Sequence, residues 1–277
     1  MTNGNPEIAC SVRTGDYLTN YHDMGEGTDC PLMLIHGSGP GVSAWANWRG
    51  SLPTLAKGRR VIAPDMAGFG FTERVSGLVH DRAIWCRQLL DLMDELDLGK
   101  IDIVGNSFGG GIALAFAIAH PERVRRLVLM GSAGVSFPIT SGLDAVWGYE
   151  PSLEAMKGLL DIFAFDRGLV TDELAELRYQ ASIRPGFQES FSAIFPAPRQ
   201  RWVDALASDE QAIEQLQHRV LVIHGQNDQV IPLEASQRLH ALLPNADLHL
   251  FARCGHWTQI ERADEFCALV DAFLTAN

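Results

Sequence analysis

The chain has 277 residues, of which 47% are hydrophobic and 20% charged, with six Trp and thirteen Phe. That supply of apolar side chains excludes intrinsic disorder, and the length fits one α/β domain carrying an insertion. With 34 Asp and Glu against 22 Lys and Arg, the net charge of −12 repels nucleic acid and acidic membrane surfaces and favours a small-molecule partner.

From the amino terminus, Met1 to Cys10 has no basic start followed by an apolar stretch, so no signal peptide is expected. Six short β-rich runs follow along the chain: Leu32 to Gly37, Arg60 to Asp65, Ile101 to Gly105, Arg126 to Gly131, Val220 to Gly225 and Ala246 to Phe251. Near-continuous apolar runs of this length mark strands buried on both faces, as in a parallel sheet flanked by helices. Segments of helical period lie between them, for example Trp85, Leu89, Leu92, Met93 and Leu96 before the stop signal Gly99. The fold class is therefore α/β, and its binding site belongs at the carboxyl ends of the strands. The most apolar run, Gly109 to Ala119, is cut short by His120-Pro121 and falls below the roughly 20 residues that span a bilayer.

The alternation lapses between about Val135 and Ser208. Leu153, Met156, Leu159, Leu160 and Phe163 recur there at helical spacing, as do Leu174, Leu177, Arg178 and Ala181, and Pro185-Gly186 and Pro196-Ala197-Pro198 break the segment. The expectation is a core of residues 1–134 and 209–277 with a helical cap, 135–208, laid across the carboxyl edge of the sheet. Cys10, Cys30, Cys86, Cys254 and Cys267 are odd in number, widely spaced and without a CxxC pair. Neither a disulfide framework nor a metal site is expected, and a reducing cytoplasm is the expected home.

Gly105-Asn106-Ser107-Phe108-Gly109 has the form G-x-S-x-G, a weak signal alone. Its context strengthens it, because a buried strand ends at the motif and a helix begins after it. A serine on so tight a strand-to-helix turn needs small neighbours two residues either side, and Gly105 and Gly109 supply them. The turn also aims the Phe108 amide and the helix N-terminus at an anion forming beside Ser107. A serine hydroxyl needs a base, and the base an orienting group. Asp228 follows the strand ending at Ile223 and His256 the strand ending at Phe251, giving the chain order Ser107, Asp228, His256. Asp247 lies at the wrong end of its strand, and Asp65 follows a strand well before the nucleophile. The glycine-rich bend His36-Gly37-Ser38-Gly39-Pro40-Gly41 offers the Ser38 amide as second oxyanion donor, with His36 a packed structural histidine.

HGSGPG (His36 to Gly41), Trp45-Ala46-Asn47-Trp48, APDMAGFGFT (Ala63 to Thr72), GNSFGGGIALA (Gly105 to Ala115) and CGHW (Cys254 to Trp257) resemble the meta-cleavage product hydrolases of aromatic degradation. GLDAVWGYEPS (Gly142 to Ser152) and SIRPGFQESF (Ser182 to Phe191) resemble the subgroup acting on alkyl or unsubstituted products. These are carbon–carbon bond hydrolases of the α/β-hydrolase fold acting on 2-hydroxy-6-oxohexa-2,4-dienoates without a cofactor. The resemblance implies Ser107, Asp228 and His256 as triad, the Ser38 and Phe108 amides as oxyanion hole, and Asn47, Asn106, Arg178 and Trp257 around the dienoate head. It also implies a homo-oligomer. Arg178 has separate support: a charge on the apolar stripe of a cap helix needs a partner, either the substrate carboxylate or a cap acid such as Asp161 or Asp166. Two other readings fit the motifs, an ordinary carboxylesterase with the same triad and a non-catalytic ligand receptor. The size of the subsite for the scissile carbonyl's substituent depends on how Ile139, Leu143, Trp147, Phe163 and Ile194 pack.

Overall fold

The computed structural model describes residues 4–276; Met1 to Asn3 and Asn277 lie outside the described residues. The chain opens with a hairpin that its weakly apolar sequence did not announce, β1 (Cys10–Thr14) and β2 (Tyr17–Met24). Thr14 pairs with Tyr17 across a two-residue turn, and Gly15 takes the first turn position at φ +58°, a conformation open to glycine. The six apolar runs are all strands: β3 (Leu32–Ile35), β4 (Val61–Pro64), β5 (Ile101–Asn106), β6 (Val124–Met130), β7 (Arg219–Gly225) and β8 (Ala246–Phe251).

They form one eight-stranded sheet in the order β1-β2-β4-β3-β5-β6-β7-β8. Only the pairings of β1 with β2 and of β2 with β4 are antiparallel. Because the chain leaves β3 first toward β4 and later returns to β5 on the other side, the direction of winding switches there. The loops after β3 and β5 consequently face each other across the crevice such a switch creates.

Among the described residues thirteen α-helices surround the sheet. On the core lie α1 (Ala44–Trp48), α2 (Leu52–Leu55), α3 (Arg82–Glu95) and α4 (Phe108–Ala119). Between β6 and β7 come α5 (Ser141–Trp147), α6 (Leu153–Phe163), α7 (Asp172–Ser182), α8 (Phe187–Ile194), α9 (Gln200–Leu206) and the short α10 (Glu210–Glu214). Then follow α11 (Leu233–Leu242), α12 (Thr258–Glu261) and α13 (Ala263–Thr275). The periodic segment read from Trp85 to Leu96 is α3, capped by the Asp81 carboxylate on the Ile84 amide; it stops at Leu96 rather than at Gly99.

The strand periodicity explains the apolar runs. Met33, Ile35, Ile103, Leu127, Leu129, Val220 and Val222 pack on one face with Trp85, Leu89, Ile112 and Phe116. Their neighbours Leu32, Leu34, Val104, Val128, Met130, Leu221 and Ile223 pack on the other with Trp48, Leu52, Phe266 and Val270. Each such side chain contributes about 1.5–3 kcal/mol of burial free energy, so both faces must be covered and alternation is lost. β8 departs from this reading: it is the edge strand, and only Phe251 of its six residues is buried.

Candidate active site

Ser107 sits between β5 and α4 at φ 55° and ψ −116°, a strained backbone for a residue with a Cβ. Its amide donates to Met130 O at 2.9 Å, and its carbonyl accepts from Gly110, Gly111 and Ala133. Those bonds hold the turn. A Cβ at Gly105 would lie 2.5 Å from Gly109 O, and one at Gly109 would lie 2.5 Å from His36 O and Ile35 O. Only glycine fits at either side of the serine, for the steric reason the motif suggested.

Asp228 and His256 come together from the loops after β7 and β8, with His256 Nδ1 2.7 Å from Asp228 Oδ2. Asp228 Oδ1 accepts from the Val230 and Ile231 amides at 2.7 and 3.0 Å. Burial alone would raise this carboxyl, but the charge and hydrogen bond of His256 and the Val230 amide outweigh it and hold it below the ordinary range. An ionised Asp228 requires the proton on Nδ1, leaving Nε2 of His256 as an acceptor. Behind Asp228 lies His224, unforeseen from the sequence. Its Nδ1 bonds Ser236 Oγ at 2.7 Å, and its Nε2 stands 3.7 Å from Asp228 Oδ2. Burial lowers its basicity, which keeps a second positive charge away from the pair.

The loop after β3 forms the opposite side. His36 is the packed histidine expected there. Its Nε2 accepts the Met66 amide at 2.9 Å, so Nδ1 carries the proton and donates to Gly37 O at 2.8 Å. Burial lowers its pKa to about 4, so it stays neutral. The Gly37 amide donates to Asn47 Oδ1 at 3.1 Å, and Asn106 Nδ2 donates to the same oxygen at 3.0 Å. That fixes both amide orientations and leaves Asn47 Nδ2 and Asn106 Oδ1 buried with no partner among the described residues. Ser38, whose side chain the sequence left without work, accepts the Trp147 indole N–H at 2.9 Å and so joins this loop to α5. Phe108 packs edge-on against Trp85 with ring centroids 4.6 Å apart, which anchors the first turn of α4 and its amides.

The helices of residues 135–208 close the remaining side. Phe163 O, at the end of α6, accepts the His256 amide at 2.8 Å and the Trp257 amide at 3.3 Å, and the Phe163 ring stacks on Trp257 at 5.0 Å. Glu261 clamps the same junction, accepting from Gly255, Phe165 and Asp166 amides. Arg178 on α7 reaches only Pro40 O, at 3.3 Å, and forms no ion pair among the described residues. The cap acids considered for it are engaged elsewhere: Asp161 pairs with Arg167, and Asp166 caps the Gly168 amide. Burial lowers Arg178 to about 10, against the charge of Glu7, so it remains a cation at neutral pH. Leu177, read as part of the same apolar stripe, is 49% exposed, because the buried face of α7 runs through Ala175, Ala181 and Ser182 instead.

These side chains share one pocket of about 40 Å³, lined by Ser38, Asn47, Asn106, Arg178, His256 and Trp257 among others, with Met156, Leu160 and Phe163 of α6 above. Ser107, 3% exposed, follows the lining residue Asn106 in the chain. Of the residues weighed for the substituent's subsite, Leu143, Trp147, Phe163 and Ile194 are buried, and Ile139 is partly so. Glu7 was missed altogether: from the amino-terminal segment its carboxylate reaches Arg184 at 2.7 Å and accepts from Ser43 at 2.5 Å. Among the described residues no group of three or more His, Cys, Asp or Glu could hold a metal ion, and no helix is long and apolar enough to cross a membrane.

Sheet, turn and pocket define an α/β hydrolase, and the family described by the α/β-hydrolase fold matches residues 31–263. A 2-hydroxymuconate semialdehyde hydrolase of Pseudomonas sp. (strain CF600) is 64% identical over 269 residues, 97% of this chain and 94% of that protein. A 2-hydroxy-6-oxo-2,4-heptadienoate hydrolase of Pseudomonas putida (strain F1) is 59% identical over 277 residues, the whole of both chains. The meta-cleavage product hydrolase CumD from Pseudomonas fluorescens IP01, solved as a mutant complexed with acetates, superposes with a TM-score of 0.95 at 59% identity, covering 97% of this chain and 98% of that one. The chain belongs to the α/β-hydrolase family and, within it, to the meta-cleavage product hydrolases.

Proposed function

We propose that this protein hydrolyses the carbon–carbon bond between C5 and C6 of a 2-hydroxy-6-oxo-2,4-dienoate in aromatic catabolism. The observation that carries the reading is Arg178, a cation without an acidic partner among the described residues, on the wall of the pocket that also holds His256. A ligand carboxylate is the partner its chemistry asks for, and a bidentate pair would fix the dienoate's direction. The hydrolases of dienoates and semialdehydes among its relatives support the same substrate class.

In this reading Ser107 is the nucleophile, His256 its base and Asp228 the orienting carboxylate. An enolate is a poor carbon leaving group, so the 2-hydroxy dienoate first takes a proton at C5 and becomes the 2-oxo tautomer. Nε2 of His256 accepts the Ser107 proton as Oγ attacks C6. The Ser38 and Phe108 amides receive the oxyanion. Cleavage of C5–C6 then expels a dienolate, which leaves as 2-hydroxypenta-2,4-dienoate; water attacks the acyl-serine and releases a carboxylic acid. Asn47 Nδ2 and Asn106 Oδ1, without partners among the described residues, would bind the 2-oxygen and the enol hydrogen, and Trp257 would flank the diene. Residues 135–208 act as the cap over a core of 1–134 and 209–277. We further take the enzyme to be a cytoplasmic homo-oligomer that needs neither metal nor cofactor and binds no nucleic acid.

The test is loss of the dienolate's visible absorbance with substrates bearing hydrogen, methyl, isopropyl and phenyl at C6. Turnover of the small members is expected; hydrolysis of simple esters with none of the four consumed would make the protein a carboxylesterase.

A further inference from the structure

Beside the inner pocket lies a second cavity of about 300 Å³, and the two share Val42, Asn47, Arg178 and Trp257 as lining residues. Its walls come from both parts of the chain, with Leu174 and Leu177 of α7 facing Trp45 and Ile260 of the core. Leu177 and Ile260 are 49% and 39% exposed, so two large apolar side chains stand at its mouth in contact with water. A conjugated, flat apolar tail would cover them.

The charge of this cavity opposes that of the whole chain. Arg49, Arg178 and Arg184 line it, and Glu7 is the sole acid among its lining residues. Glu7 is already committed to Arg184 at 2.7 Å, whereas Arg49 is exposed and forms no ion pair among the described residues. The charges of Arg49 and Arg184 both bear on Arg178, so the three guanidiniums act within one local field. In a chain carrying −12 overall, such a local positive field favours the approach of a small anion. Size points the same way. The inner pocket of about 40 Å³ has room for a few water molecules, while the outer one has room for an acid of ten heavy atoms.

We propose that the outer cavity is an anteroom that captures the incoming dienoate by its carboxylate on Arg49 and hands that carboxylate inward to Arg178. The proposal rests on the function inferred above for the inner pocket. Arg49 is here a capture residue that contacts the substrate before Arg178 does, and its effect belongs to association rather than to the bond-breaking step.

The experiment compares Arg49→Gln, Arg49→Lys and the native residue. Binding of 2-hydroxy-6-oxohepta-2,4-dienoate is followed by stopped-flow tryptophan fluorescence in a Ser107→Ala background, from low to high ionic strength. Trp45 and Trp257 in the cavity wall supply the signal. Arg49→Gln should lower the association rate roughly three- to tenfold at low salt and flatten its salt dependence, and Arg49→Lys should restore most of it. With Ser107 present, the loss in kcat/KM should exceed any loss in kcat and any loss on a neutral aryl ester. An association rate and salt slope equal to those of the native residue would overturn the proposal, as would equal losses on dienoate and ester, which mark a packing defect at the end of α1. Failure of the native enzyme to consume any dienoate would remove the function reading itself and the anteroom with it. Turnover with an unaffected Arg49→Gln association rate removes only the anteroom.

Discussion

The two walls of the pocket that holds His256 and Arg178 are finished to different degrees. On the wall built from the loops after β7 and β8, Asp228 has its oxygens filled by the Val230 and Ile231 amides and by His256, and the His256 amide is held by Phe163. On the facing wall, among the described residues, Asn47 Nδ2 and Asn106 Oδ1 are buried without partners, and Arg178 holds one hydrogen bond at 3.3 Å. A buried polar group left unpaired costs about 1–3 kcal/mol, more when charged. The first wall is organised by the protein alone, whereas the second carries a cost that a ligand with a carboxylate and neighbouring oxygens would remove. Under the proposed mechanism, machinery that must work at the instant of reaction is prebuilt, and recognition groups are left open to bond.

Substitutions at Ser107 and on the first wall test that contrast most severely. Under the proposed mechanism Ser107→Ala should lower kcat by at least about 10⁴-fold while dienoate binding, read by fluorescence, persists. Asp228→Asn should lower kcat by about 10³- to 10⁴-fold by favouring the wrong His256 tautomer. A loss below tenfold in either would remove the triad assignment. On the second wall Asn47→Ala strips the acceptor from both the Gly37 amide and Asn106. About 1–3 kcal/mol, or roughly ten- to a hundredfold in kcat/KM for the dienoate, should follow.

The smallest expected effect lies outside both walls, at Asp65 just past β4. Burial raises it to about 6, even though the Ala44 and Phe71 amides and Asn20 donate to it. A carboxyl whose folded pKa lies above its unfolded value of 3.8 supports stability at low pH and loses that contribution as pH rises through about 6. Between pH 5 and pH 7 the loss amounts to about 1 kcal/mol. Asp65→Asn lacks this titration, so its stability relative to the native protein should improve by that amount from pH 5 to pH 7 in urea unfolding; an unchanged difference would mean that the donors cancel the burial.

Much of the first wall, and of the Ser107 turn beside it, could be read in the sequence, because these residues follow from local pattern. Apolar runs mark β5, β7 and β8, and Ser107, Asp228 and His256 stand just past their ends. The elbow needed only Gly105 and Gly109 on either side. The hairpin β1–β2 escaped because Cys10-Ser11-Val12-Arg13-Thr14 is weakly apolar and mostly exposed; the Gly15-Asp16 turn was the available signal. The second wall depends on pairs far apart in the chain, Asn47 with Asn106, Ser38 with Trp147 and Glu7 with Arg184, and no local period encodes them. Arg178 was legible as a charge out of place, but its lack of an acidic partner required knowing that Asp161 had gone to Arg167.

The most direct measurement sets Arg178→Ala beside the native enzyme on 2-hydroxy-6-oxohepta-2,4-dienoate and on a neutral aryl ester. Loss of a charge-assisted, bidentate contact should lower kcat/KM for the dienoate by about 10²-fold or more, at least tenfold beyond any loss on the ester. Equal losses on the two substrates, or none on the dienoate, would contradict the assignment of Arg178 to the substrate carboxylate.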